Sequence, residues 1–146
     1  MAQQNNQASV AEAQAQLQYL YNLYTQQHSM LENEIGTLTL TTAAINRNIE
    51  MLESKERLSG SKILVNGEGG AYLSATLDPM DKVLVYVGAG YMLEKNTEQA
   101  REYLKSARAK QEEAIRKLSA DRQRVGKEIV SVSYNLSQLQ AEQSRR

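Results

Sequence analysis

His28 is the single histidine of this 146-residue chain, and there is no Cys to accompany it. A zinc or similar transition-metal site draws on several imidazole or thiolate ligands, so neither metal nor cofactor is expected. The absence of Cys also removes disulfides and thiol nucleophiles, and a Ser-His-Asp arrangement would have to rest on His28 alone. His28 lies in a stripe of apolar residues seven apart, where a tolerated polar residue on a packed helix face is the simpler account. Gly67–Gly70 and Gly88-Ala89-Gly90 could suggest phosphate-cradling loops. Neither carries the Lys-Ser/Thr of a P-loop, and neither opens a helix in the Gly-x-Gly-x-x-Gly manner, so both read as hairpin turns. The carboxylates Glu50/Glu53 and Glu112/Glu113 could serve acid–base chemistry only in a concave site that shifts their pKa values, and solvated helices offer none. The chain is not expected to be an enzyme.

One basic stretch could bind polyanions: Arg101, Lys105, Arg108, Lys110, Arg116, Lys117, Arg122, Arg124 and Lys127. Acids are interleaved with these bases and the formal net charge is zero, which favours a solvated face over a nucleic-acid partner. Met1-Ala2-Gln3-Gln4-Asn5-Asn6 is polar and uncharged, unlike a secretory or transit peptide. No apolar run approaches the roughly 18–20 residues needed to span a bilayer. A soluble cytoplasmic protein in a reducing compartment, with no membrane partner, is the expectation.

The layout follows from Gly and Pro. Six of the eight Gly and the single Pro fall within residues 59–96, between two Gly-poor flanks. Phe and Trp are absent and the aromatics are eight Tyr, which disfavours a compact globule with a large aromatic core.

The flanks carry heptads. Val10, Leu17, Tyr24, Leu31, Leu38, Ile45 and Leu52 are each seven apart, with Tyr21, His28, Ile35, Thr42 and Ile49 filling the second seam position. On the last flank Leu104, Leu118, Val125, Val132 and Leu139 alternate with Ile115, Ile129 and Leu136; Gln111, Arg108 and Arg122 are the polar lapses. This 3.5-residue period is the coiled-coil pattern. Ser59-Gly60-Ser61 predicts the end of the first helix, and Asn96-Thr97-Glu98-Gln99 an N-capped start for the second. Each helix spans about 48 residues, or roughly 70 Å. Residues 1–57 hold six acids against three bases, and residues 97–146 eleven bases against seven acids. Matched lengths and opposite charge favour an intramolecular antiparallel hairpin, which would set Arg122 beside Glu32 or Glu34.

The middle segment predicts four short strands: 62–65, 71–77, 83–87 and 91–93, forming two β-hairpins. Two isolated hairpins leave unpaired edges and uncovered faces, so pairing with other chains is expected. The candidate assembly residues are Ile63, Leu64, Val65, Tyr72, Leu73, Val83, Val85, Val87, Gly88 and Gly90. The expected fold is mainly α with a small β part: a long antiparallel coiled-coil hairpin whose helices are joined by two β-hairpins. The whole chain is read as one domain, with helix over 1–58, hairpins over 59–96 and helix over 97–146.

That layout, together with Val83-Leu84-Val85-Tyr86-Val87-Gly88-Ala89-Gly90-Tyr91-Met92-Leu93-Glu94-Lys95-Asn96, resembles the archaeal-type α class of prefoldin. Ile63-Leu64-Val65 is similar to the family's first strand, and the second hairpin separates α from the single-hairpin β class. The sequence departs from the family at Asn66, where Pro is usual, and Gly67-Glu68-Gly69-Gly70 moves the turn glycines. The resemblance implies a hexamer of two α and four β subunits whose hairpins build a β-barrel and whose coiled coils project from it. It implies an ATP-independent chaperone that holds unfolded client proteins and passes them to a group II chaperonin.

In such a hairpin the two chain ends form the tip. The candidate client-binding residues there are Val10, Leu17, Leu20, Tyr21, Leu23, Tyr24, Val132, Leu136 and Leu139, with Tyr19, Val130 and Tyr134 nearby. A Leu/Tyr stripe at heptad spacing is ordinarily coiled-coil core, whereas Leu20 and Leu23 lie off the seam. The tail Gln3-Gln4-Asn5-Asn6-Gln7 would keep such a tip soluble. The rival reading is a coiled-coil scaffold or spacer without chaperone activity.

Overall fold

The computed structural model describes residues 2–145, and for residues 2–7 the backbone alone. Helix α1 (Ala2–Glu53) is followed by the short α2 (Lys55–Leu58), then β1 (Lys62–Gly67), a 3₁₀ turn (Glu68–Gly70), β2 (Ala71–Thr76), β3 (Lys82–Gly88), β4 (Tyr91–Asn96) and α3 (Thr97–Ser144). The fold is mainly helical, with two small antiparallel hairpins flanked by long helices. The chain divides into two compact units: Leu40–Glu113, and the flanking stretches up to Thr39 and from Ala114.

In the unit Leu40–Glu113 the last turns of α1 pack antiparallel on the first turns of α3. Leu52, Val85 and the fully buried Ala100 form its core, with Val83, Tyr103 and Leu104 against them. Ala100 has no side chain beyond Cβ, which lets β3 and α1 approach α3 closely. The two polar lapses of the α3 seam in this unit, Gln111 and Arg108, find partners on α1. Thr42 Oγ1 donates to Gln111 Oε1 at 3.0 Å, and Arg108 Nη1 donates to Asn46 Oδ1 at 2.9 Å. A polar seam residue facing a hydrogen-bond partner avoids the penalty of an unsatisfied group.

The sheets are two separate two-stranded ribbons, β1–β2 and β3–β4. Lys62 pairs with Thr76 through to Gly67 with Ala71, and Lys82 with Asn96 through to Gly88 with Tyr91. β1 is two residues longer than its apolar run predicts, because Asn66 and Gly67 continue the ladder opposite Tyr72 and Ala71. β4 is three residues longer, because Glu94, Lys95 and Asn96 pair with Leu84, Val83 and Lys82. Asn96 then caps α3: its Oδ1 accepts from the Gln99 backbone N–H at 2.8 Å. Buried Thr97 ties that helix start to the preceding turn, its hydroxyl donating to the Met80 carbonyl and its N–H to the Asp81 carbonyl. α1 stops earlier than predicted, at Glu53. After the break at Ser54 comes one more helical turn, and then Gly60 at φ 76°.

In the other unit the first part of α1 runs antiparallel to the second part of α3. Every seam position of α1 from Val10 to Leu38 is at least half-buried, as are Ile115, Leu118, Arg122, Val125, Ile129, Val132, Leu136 and Leu139 on α3. Toward the helix ends Gln143 Nε2 donates to Gln14 Oε1 at 3.2 Å, and further in Arg122 Nη1 lies 3.9 Å from Glu32 Oε1. Glu32, rather than Glu34, is therefore the acid that answers the charge on the seam.

Candidate functional site

Two kinds of surface could act. The first is the pair of hairpins. The turn Gly88-Ala89-Gly90 needs left-handed backbone at three successive residues, with φ of 111°, 49° and 81°, which explains its glycines. Tyr86 folds back over it, its hydroxyl oxygen accepting from the Gly90 N–H at 3.3 Å. The first hairpin turns instead through its 3₁₀ segment, with Gly69 and Gly70 at positive φ.

The ten candidate assembly residues divide. Ile63, Leu64, Val65, Tyr72 and Leu73 are all exposed, Leu64 to 72% of its area. Val85 is buried against Leu52 and Ala100, Val83 packs beside it, and Val87 and Gly88 are half-buried. Val85 therefore faces its own helices, with the half-buried Val83 beside it. In their place β3 and β4 expose Leu84, Tyr86, Tyr91, Met92 and Leu93. The period-two alternation of a strand carried this signal, since the valines share one parity and Leu84 and Tyr86 the other.

The second surface lies on the unit containing the helix ends. Of the candidate client-binding residues, Val10, Leu17, Tyr21, Tyr24, Leu136 and Leu139 are half-buried in the seam and Val132 is buried. Leu20, expected off the seam, is also half-buried on its flank, while Leu23 is exposed. While the helices stay paired, these seam residues hold the coil together and the outward apolar surface belongs to others. Tyr19 is 67% exposed and Val130 70%, and Met30 and Tyr134 are likewise open. The side chains of Gln3–Gln7 lie outside the described residues.

Several charged side chains stand in pairs. His28 Nδ1 sits 3.7 Å from Glu32, Arg124 pairs with Asp121 at 3.0 Å, and Lys82 reaches Glu94 across the second hairpin at 3.1 Å. Hydrogen bonding to Glu98, and then its negative charge, raises the Arg101 guanidinium above its ordinary pKa, which leaves it charged at any working pH. Among the described residues no cluster of His, Cys, Asp or Glu could hold a metal ion, and no helix is long and apolar enough to cross a membrane.

The sequence model of the prefoldin subunit family matches residues 24–142, which takes in most of α1, both hairpins and nearly all of α3. The chain belongs to the prefoldin family. Its curated prefoldin relatives include the α subunit of Pyrococcus horikoshii, 27% identical with 88% of each chain covered. The α subunit of Methanocorpusculum labreanum is 25% identical over the whole of both chains. Among solved structures, filamentous PFD from Methanocaldococcus jannaschii superposes with a TM-score of 0.54 at 29% identity, covering 85% of this chain and 98% of that one. Prefoldin is a chaperone family rather than an enzyme class, and the two hairpins here carry its α-class layout.

Proposed function

We propose that this chain is the α-type subunit of a hetero-oligomeric prefoldin, acting as one functional domain in the cytoplasm. It joins β subunits, two α to four β, through its hairpins. The observation that carries this reading is two ribbons, each paired only within itself among the described residues, that leave Leu64, Tyr72, Leu84 and Tyr91 exposed. Such faces and edges call for other strands. The assembled complex holds unfolded proteins without ATP and passes them to a group II chaperonin; it uses neither nucleic acid nor a membrane. Apolar side chains left outside the coiled-coil seam, Tyr19, Leu23, Val130 and Tyr134, supply weak contacts that repetition over several subunits makes useful.

Native mass spectrometry of this chain co-expressed with its β partner tests the assembly. A mixed hexamer is expected. A long homopolymer of this chain alone would favour the filamentous state described for the M. jannaschii neighbour. Preference for a denatured over a native protein, measured by retention on the immobilised complex, separates a holding chaperone from a passive spacer; equal retention of both favours the spacer.

A further inference from the structure

One part of the basic stretch of α3 borders an open groove of about 900 Å³ in the unit that contains the helix ends. The groove's rim carries Arg116, Arg122, Lys127 and the His28 imidazole, and none of the residues lining it is acidic. Its floor is apolar, formed by Ala120, Gly126 and the largely exposed Val130. Glu32 stands outside the lining, 3.7 Å from His28 and 3.9 Å from Arg122. Over residues 116–130 five bases face two acids in sequence, so the local excess is positive.

Gly126 lines the groove, and packing does not require a glycine there. A Cβ built at this position would meet the His28 ring at 3.9 Å, an ordinary contact, and its backbone is not left-handed. Glycine in a helix interior is otherwise unfavourable relative to alanine. The absent side chain leaves the His28 ring uncovered on the groove side.

From this juxtaposition we propose that the groove receives an acidic, extended segment of an unfolded polypeptide, carboxylates on Lys127 and the part-exposed Arg122 and an apolar side chain against Val130. The choice of occupant follows from charge complementarity, which excludes basic segments by like-charge repulsion. The lining has no Tyr and a single ring, the His28 imidazole, whereas single-stranded nucleic acid is held by successive bases stacked on several rings, which favours peptide. The inference rests on the client-holding reading and adds a sequence preference to it.

The test uses the full-length chain in its native assembly and fluorescein-labelled peptides of alternating Asp and Leu, of alternating Lys and Leu, and a single-stranded oligonucleotide. Fluorescence anisotropy should show the acidic peptide binding at least about tenfold more tightly than the basic one, with affinity falling as salt rises. Lys127→Glu with Val130→Ser, both on the open face, should weaken the acidic peptide by about tenfold. Gly126→Leu, which sets a bulky side chain in the groove's lining beside His28, should do the same, while circular dichroism confirms retained helix in both variants. Equal binding of the two peptides, unchanged binding in both variants, or tighter binding of the oligonucleotide overturns the proposal. Suppression of client aggregation by the wild-type complex is measured alongside. If suppression persists while the peptides show no preference, the groove assignment fails and the holding function stands. If suppression is absent, the holding function fails, whatever the peptides do.

Discussion

Single residues reveal where stability has been left unused and where it is needed. Gly36 lies on the exposed side of α1 with nothing within 4 Å of a built Cβ and no positive φ. Gly36→Ala should therefore stabilise the helix by about 1 kcal/mol, read as a higher urea midpoint in circular dichroism. Arg122 and Glu32 are partly exposed and 3.9 Å apart, so their pairing contributes about 1 kcal/mol or less. Arg122→Glu alone should lower the midpoint and Glu32→Lys in the same chain should restore it; no rescue would mean that the pair does not act as one. This pair was legible in the sequence because equal helix lengths set the antiparallel register. The partners of Gln111 and Arg108 were not, since Thr42 and Asn46 become visible only once that register is fixed to the residue. His28 was legible as a seam residue, but the groove beside it was not, because a helical Gly gives no sign of what it faces.

At the level of elements, heptad spacing located both helices, and Asn96 marked the start of α3 to the residue. The early end of α1 at Glu53 escaped notice because Ser54 and the turn after it keep good helix formers; only Gly60 announces a stop. The strand ends were missed for a related reason. Asn66, Gly67, Glu94, Lys95 and Asn96 are poor strand formers by composition, and the ladder holds them through register with their partners. Which face of each hairpin is open also depended on packing, since Val83 and Val85 are drawn inward by Leu52 and Ala100. The exposed face makes a clear prediction. Leu84→Ser with Tyr91→Ser should leave helix content unchanged, as both side chains are open to solvent, yet abolish co-purification with a β subunit. Val85→Ser, in the core, should instead lower thermal stability by an amount typical of a buried polar group without a partner, about 1–3 kcal/mol.

For the molecule as a whole, the sequence pattern was sufficient to indicate the family, because two heptad flanks around two hairpins is a layout with few alternatives. Residue-level assignment of the client surface was harder, since a coiled coil uses the same Leu and Tyr for its seam that a binding surface would use outside it. The outward residues Tyr19, Leu23, Val130 and Tyr134 are the ones whose loss should matter for holding clients. The most direct measurement is light scattering from a denatured model protein diluted into buffer without nucleotide, with and without the complex assembled from this chain and its β partner. The complex should suppress scattering in proportion to its concentration, and replacing all four outward residues by Ser should remove much of that protection while leaving the assembly intact. Scattering that rises equally with and without the wild-type complex would contradict the assignment of a holding chaperone.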